Sequence, residues 1–451
     1  MPSEFIKSLC TLEALKISIS GVRGIFSDEL NLKDVMHFCR NFSHLIKSKK
    51  CVLARDTRPS SEILSHVASA SLMERGISVY NLGIAPTPVA FRESRGYGSG
   101  IIVTSSHNPL EWNGLKFILE GRGINERELE QLLVQKSPSK SKIGLESSVG
   151  STYVDEAVKL IGVVKKKPKI ALDIGGGAAF EVAPLLLEKL GCKIKKINDV
   201  PGRSLRGPDP TSDRLSGLAR VSKGTDIGFA FDLDGDRLVV VKDGKKQAPD
   251  VTLGLGVAKA LEIGCKRFVL SIDTSVSIEK FIRNEGGQVK RSKVGEANVV
   301  DLMLKTRSQA GGEGSSAGFI LPRFNMCRDG LLTSGLIASM VGTTEFSDIS
   351  KFMEGYFQRR SKINVDSKYH KKTIEILTKK MEKGSSQLIT MDGTKSIIDD
   401  DSWVLVRQSN TEHSIRISSE SNDLRKLKTI EKEITELVKK SYEEARRDRD
   451  H

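Results

Sequence analysis

Several short polar segments carry the residue types that do chemistry. The stretch TSSHNPLEWNGLKF, Thr104 to Phe117, follows the apolar run Ile101-Ile102-Val103 and sets two serines, a histidine and an asparagine against a proline. A serine just past a strand end is exposed and can be phosphorylated. His107 beside it can assist proton transfer or bind phosphate, and Lys116 can neutralise charge. The same residues also suit an ordinary turn, with the histidine capping backbone groups. Alone, the segment leaves both readings open.

The second segment is FAFDLDGDRLVVVKDG, Phe229 to Gly244, where Asp232, Asp234 and Asp236 alternate between two apolar runs. Gly235 lets the backbone turn sharply so that the carboxylates converge. Hard oxygen ligands with open positions suit Mg2+, which keeps room for water or phosphate oxygens. Without a cation, like charges this close would raise one another's pKa. The plain alternative is a solvated acidic hairpin. An EF-hand is excluded, because it would need Gly where Arg237 stands and Glu where Asp243 stands. An aspartyl phosphatase segment would usually continue with Thr where Asp236 stands.

Two further loops suit a sugar and a phosphate. QAGGEGSSAGFILP, Gln309 to Pro322, sets Glu313, Ser315 and Ser316 among glycines, fit for sugar hydroxyls or for a flexible turn. VRQSNTEHSIRI, Val406 to Ile417, holds Arg407, Ser409, Asn410, Thr411 and Arg416. Two guanidinium groups flanking a hydroxyl- and amide-rich turn can cradle a phosphate, although Ser, Asn and Thr are also plain turn formers. SGVRGIF places Arg23 between two glycines, a weak signal by itself.

These loops need elements to hold them. KCVLARD, SEILSHVASASLMERG and SVYNLG read as strand, helix and strand, with Ile63, Val67, Ala70 and Leu72-Met73 expected on one helical stripe and Gly76 as its end. The pattern recurs in PKIALDIGGGAA with FEVAPLLLEKLGC and KIKKIN, and in KRFVLSIDTS with VSIEKFIRNEGG and QVKRSKVG. These recurrences predict three similar α/β units. From Lys362 the tail reads as helix, strands and a final helix, an α+β module. The expected domains are 1–150, 151–250, 251–361 and 362–451.

Composition narrows the function class. Hydrophobic residues make up 38% and charged residues 28%, a soluble globular balance. No apolar run reaches the roughly 20 residues of a membrane-spanning helix, and the nearest, Leu331 to Thr344, is broken by Gly, Ser and Thr. The opening MPSEFIKSLC predicts no signal peptide. The six cysteines, Cys10, Cys39, Cys51, Cys192, Cys265 and Cys327, form no C-x-x-C pair, so a reducing cytoplasm is expected, without a zinc or disulfide framework. The net charge of +14 is spread along the chain with only 5% aromatics, which points to phosphorylated metabolites and away from nucleic acid or a membrane surface.

In order, TSSHNP, DLDGDR, GEGS and RQSNTE, together with GVRG and NGLK, resemble the α-D-phosphohexomutase superfamily over essentially the full chain. The resemblance is to the archaeal-like phosphoglucosamine mutase, phosphomannomutase and phosphoglucomutase type. It implies three similar mixed-sheet α/β domains and a C-terminal α+β domain around a central cleft. It implies interconversion of hexose or hexosamine 6-phosphate and 1-phosphate through a phosphoserine and a 1,6-bisphosphate, with phosphoglucosamine mutase as the first expectation. A broad-specificity phosphomannomutase/phosphoglucomutase is the second, and a metal-dependent sugar-phosphate phosphatase is the alternative of another class.

Carried over position by position, the resemblance makes Ser106 the phosphoserine, with Ser105 at a variable position. Asp232, Asp234 and Asp236 would bind Mg2+ with a phosphate oxygen on Ser106. Arg23, His107, Lys116 and Arg237 would surround the transferring group. Glu313, Ser315 and Lys293 would read the sugar, and Arg407, Ser409, Asn410, Thr411 and Arg416 would hold the second phosphate. A sugar 1,6-bisphosphate activator, small sugar phosphates as partners, a cytoplasmic location and a monomer or homodimer are also implied. Three positions depart from the family pattern: Asn410 stands for Gly, His413 for Pro, and Ser316 and Ala317 where a histidine often follows.

Overall fold

The computed structural model describes residues 15–134, 142–382, 387–409 and 413–447, which build four β-sheets. The first three sheets share one four-strand unit. In the first sheet, Ser78–Ile84, Lys50–Arg55 and Ser99–Val103 run parallel, and Trp112–Leu119 closes the unit antiparallel. The second repeats this with Lys193–Ile197, Lys169–Asp173, Ile227–Phe231 and antiparallel Leu238–Lys242. The third does so with Gln288–Ser292, Arg267–Ser271, Ala310–Glu313 and antiparallel Gly318–Ile320. The central strands are apolar and buried along nearly their whole length, as parallel strands covered on both faces must be.

This repetition positions the chemistry. In each unit the chain turns back from the third strand to the fourth at the carboxyl end of the parallel strands, where α/β sheets bind ligands. Ser106 lies in that turn of the first unit, and Asp232, Asp234 and Asp236 lie in that turn of the second. Glu313 ends the third strand of the third unit, and Ser315 follows in its turn. Three of the polar segments are therefore one topological feature used three times.

A continuous apolar cluster runs through all three units, from Ala54, Phe91 and Ile102 through Leu172 and Phe229 to Phe268 and Leu331, and fixes the loops relative to one another. The apolar run near Leu331 is the helix Gly330–Ala338, buried throughout within this core. No helix among the described residues is long and apolar enough to cross a membrane.

The helix Ser61–Glu74 corrects the expected stripe. Ile63 is 46% exposed and Ala70 is exposed, while Leu64, Ala68 and Leu72 are fully buried with Ser61, Ser65 and Ser69 beside them. The inward serines are hydrogen-bonded: the Ser61 hydroxyl accepts from Asn113 Nδ2 at 3.0 Å, and the Ser69 hydroxyl donates to Glu146 at 2.5 Å. Satisfied polar groups can lie inside, so the apolar residues alone misplace the face.

The fourth sheet is antiparallel, in the order Phe357–Asn364, Ser414–Ser421, Ser402–Gln408, Thr394–Asp399, Gln387–Ile389. Its first strand straddles position 362. The helix Leu424–Arg447 buries Leu427, Ile430, Ile434 and Val438, three or four residues apart. Ile430, Ile434 and Val438 pack with Val404, Val406, Ile415 and Ile417 of the sheet. Ile272 of the third unit packs with Trp403 and Leu405 of the fourth sheet.

Candidate active site

Ser106 is fully buried and holds a left-handed backbone with φ of +54°. Non-glycine residues adopt that region only when their surroundings enforce it. Here the enforcement is a buried polar frame. The Ser106 N–H donates to Thr104 Oγ1 at 2.8 Å, and Thr104 Oγ1 donates to Asp56 Oδ2 at 2.7 Å. Asp56 pairs with Arg58 at 3.0 Å. Arg58, 1% exposed, donates to the carbonyls of Ser106 at 2.6 Å, Asn108 at 2.7 Å and Trp112 at 2.9 Å, and also to Pro109 O. One guanidinium thus holds the whole turn. Ser105 points elsewhere, its hydroxyl accepting from Asn108 Nδ2 at 3.0 Å.

The Ser106 hydroxyl donates to Asp232 Oδ2 at 3.2 Å. Asp232, Asp234 and Asp236 are all fully buried, and ligand atoms from the three lie within 4.8 Å of one another. Gly235 makes the turn with φ of +70°, and a Cβ there would meet Pro86 at 3.1 Å. The carboxylates are oriented by specific partners. Asp234 Oδ2 accepts from Thr87 at 2.7 Å and Lys116 at 2.6 Å. Asp236 Oδ2 accepts from Lys116 at 3.1 Å and Arg328 at 2.8 Å. Asp232 Oδ1 accepts from the Arg237 N–H at 3.1 Å.

Asp234 Oδ1 and Asp236 Oδ1 are buried without a hydrogen-bond partner. Orphaned buried carboxylate oxygens are costly, and a hard divalent cation is the partner that all-oxygen ligands at this spacing fit. Burial and the two neighbouring carboxylates push Asp232 well above the usual range. Burial also opposes charge on Asp234 and Asp236, but Lys116 outweighs it for Asp234, and Arg328 with Lys116 for Asp236, and both are lowered. Burial alone would deprotonate Lys116 more easily, yet Asp234 and Asp236 hold its pKa above the ordinary value.

His107 Nδ1 lies 3.4 Å from Ser106 Oγ and its Nε2 lies 3.3 Å from Arg237 Nη2. Burial, then Arg237, Arg23 and Arg328, depress its pKa well below the usual value. A guanidinium can only donate, so the Nε2 that faces Arg237 is placed to accept, and Nδ1 is the ring nitrogen placed to donate toward Ser106. Arg237 is steered in turn by Asp209 at 3.3 Å. Arg23 pairs with Gly114 across the neighbouring strand, which puts it on the face of Lys116, two residues further along.

His107, Lys116 and Arg237, which touch Ser106 and the buried aspartates, line one cleft of about 1270 Å³ together with Arg23, Glu313, Ser315, Arg407, Ser409 and Arg416. Both Glu313 oxygens are engaged: Oε1 accepts from the Gly295 N–H at 2.7 Å and Oε2 from Arg328 at 3.2 Å. Burial raises its pKa. Arg407 and Arg416 stand directly opposite each other in the hairpin register. Asn410 and Thr411 lie outside the described residues. Lys293 is exposed and is not among the lining residues, which include its neighbours Val294, Gly295 and Glu296. His413 reaches the cleft and bonds to Ser367 at 2.5 Å.

Comparison with known proteins gives this cleft a family. The phosphoglucomutase/phosphomannomutase families match throughout: alpha/beta/alpha domain I at residues 15–141, domain II at 151–245, domain III at 249–359 and the C-terminal domain at 362–437. A probable phosphoglucosamine mutase from Methanosphaera stadtmanae is 32% identical over 93% of this chain and 97% of its own. The chain belongs to the phosphoglucomutase/phosphomannomutase family. It is a phosphohexomutase, an isomerase that works by phosphoryl transfer. A phosphoglucomutase/phosphomannomutase from Thermococcus kodakarensis is 33% identical over 94% of this chain and 98% of its own. A family protein from Burkholderia thailandensis shares the fold, with a TM-score of 0.81 at 24% identity, covering 94% of this chain and 98% of that one.

In this phosphohexomutase, motif reading did not reach Asp56, Arg58, Thr87, Asp209 or Arg328. Each acts on a loop distant in sequence. The signal for Arg58 was its place in ARDTRPS, directly after the apolar strand run KCVL, where parallel sheets put functional groups. Arg328 carried no comparable signal.

Proposed function

We propose that this phosphohexomutase interconverts the 6-phosphate and 1-phosphate of glucosamine through phospho-Ser106. The observation that carries the reading is the buried Ser106 hydroxyl, held 3.2 Å from a carboxylate triad with two orphaned oxygens, behind His107, Lys116 and Arg237, which line the same cleft as the Arg407 and Arg416 pair. In the first half-reaction the bond from phosphorus to Ser106 Oγ breaks as one forms to the free sugar hydroxyl oxygen. The proton of that hydroxyl ends on Ser106 Oγ, the leaving oxygen, and the product is a sugar 1,6-bisphosphate. In the second half-reaction the other phosphate returns to Ser106.

Asp232, Asp234 and Asp236 would hold Mg2+, which when bound would neutralise charge on the phosphoryl oxygens. His107 donates from Nδ1 to the phosphoryl group on Ser106. Arg23, Lys116 and Arg237 add positive charge around the transferring group, so positioning and electrostatics supply most of the rate. Arg407, Ser409 and Arg416 clamp the phosphate that is not reacting. Glu313 and Ser315 read hydroxyls, and the sugar turns over between halves. Burial of Ser106 keeps water from hydrolysing the phosphoserine. Trace 1,6-bisphosphate primes the enzyme, which acts on small sugar phosphates in the cytoplasm.

Glucosamine is favoured by the names of archaeal relatives at about 30% identity, and glucose or mannose phosphate by the name of the Thermococcus kodakarensis relative. The test is a panel of glucosamine, glucose and mannose phosphates with a trace of the matching 1,6-bisphosphate. Isomerisation fastest with glucosamine and no net phosphate release is expected. Net release of inorganic phosphate without isomerisation would support a phosphatase instead.

A further inference from the structure

Arg328 stands at the junction of the metal-side and sugar-side loops, outside every motif segment. It precedes Asp329, which caps the buried helix Gly330–Ala338, so its backbone is anchored in the core. Its aliphatic stem passes over Gly318, where a Cβ would come within 2.2 Å of Arg328 Cδ. Glycine at that strand position is what lets the arginine reach inward.

The guanidinium then divides its donors. Nη2 donates to Asp236 Oδ2 at 2.8 Å and Nη1 to Glu313 Oε2 at 3.2 Å. Its Nε lies 3.1 Å from Glu296 Oε2, and the Arg328 backbone N–H donates to the same oxygen at 2.9 Å. A guanidinium is a rigid planar fork, so its contact with Glu313 constrains where it meets Asp236. By occupying Asp236 Oδ2 it leaves Oδ1 as the orphaned oxygen available to a cation.

We propose that Arg328 is a positioning residue that couples the two loops, holding Asp236 in its cation-binding orientation only while Glu313 is in place. A sugar engaging Glu313 and a divalent cation engaging Asp236 then bias each other through one side chain, and the coupling is reciprocal. The inference rests on the reading of these loops as metal- and sugar-binding. A purely structural role, neutralising buried carboxylates, would need the charge but not the fork.

The test measures Mn2+ affinity by calorimetry on the full chain and on the Arg328→Lys, Glu313→Gln and double variants, with thermal unfolding as the control for folding. Arg328→Lys keeps the charge and loses the fork. It is expected to weaken Mn2+ binding roughly 10-fold or more, the scale at which outer partners of metal ligands act. Glu313→Gln is expected to shift Mn2+ affinity by about 5-fold in the parent chain and scarcely at all in the Arg328→Lys background. A folded Arg328→Lys chain with parent-like Mn2+ affinity overturns the proposal, as does an equal effect of Glu313→Gln in both backgrounds. If Arg328→Lys does not fold, Glu313→Gln decides alone, and an unchanged affinity overturns the coupling. A parent chain that binds no Mn2+ overturns the metal reading as well, whereas parent binding with an unaltered Arg328→Lys refutes only Arg328.

Discussion

Ser106 Oγ lies 3.2 Å from Asp232 Oδ2 across 126 residues of sequence. The contact joins the turn of one α/β unit to the equivalent turn of the next, and it singles out one serine of an adjacent pair. Ser105 bonds instead to Asn108, on its own loop. Ser105→Ala is therefore expected to keep mutase activity within a few-fold, while Ser106→Ala loses it. Steady-state rates of the two variants check this.

Arg58 should matter as a scaffold. Arg58→Met would take away the buried guanidinium partner of Asp56, at a cost of roughly 3–5 kcal/mol. Arg58→Lys keeps the charge but cannot reach several carbonyls at once. Denaturant unfolding should show a large loss for Met and a smaller one for Lys, with Lys still slower in turnover because the Ser106 turn is no longer pinned. A Lys variant with parent activity would sink that account.

The Arg407 and Arg416 pair should bind phosphate equally in ground and transition states. Arg407→Met then raises KM roughly 10- to 100-fold, the worth of a charged hydrogen bond, with a smaller change in kcat. A loss confined to kcat would place Arg407 at the reacting phosphate instead.

Asp329 offers a pH test away from the cleft. It is fully buried, accepts from Tyr153, Asn325 and the Leu332 N–H, and burial raises its pKa to about 6 despite those bonds. An acid whose folded pKa is raised contributes stability that is fully present below the unfolded value near pH 4 and is lost as pH rises through about 6. Asp329→Asn does not ionise. The Tm of the Asn variant relative to the parent should therefore climb between pH 4 and pH 7. A flat difference would contradict the assignment.

The four loops were legible because each keeps its donors within a few consecutive residues bounded by strands. The alternation of Asp232, Asp234 and Asp236 suggests converging carboxylates but leaves a solvated hairpin open, and the structure decides between them by burying all three together. Arg328 was not legible, since its role depends on Gly318, Glu313 and Asp236 meeting in space. The resemblance implies Lys293 at the sugar, yet its side chain is exposed while the backbone of Gly295, two residues on, bonds Glu313. The helix at Ser61–Glu74 shows the converse limit, with hydrogen-bonded serines taking buried positions that an apolar count gives to Ile63.

The central claim is that the phosphoryl group passes through Ser106. The direct measurement incubates the protein with sugar 1,6-bisphosphate carrying labelled phosphate, digests it, and maps the label by mass spectrometry in the parent chain and in Ser106→Ala. The account predicts label on Ser106 in the parent, discharged by added sugar 6-phosphate, and neither label nor isomerisation in Ser106→Ala. Isomerisation by the Ser106→Ala chain at the parent rate, or label on another residue with Ser106 unmodified, would contradict it.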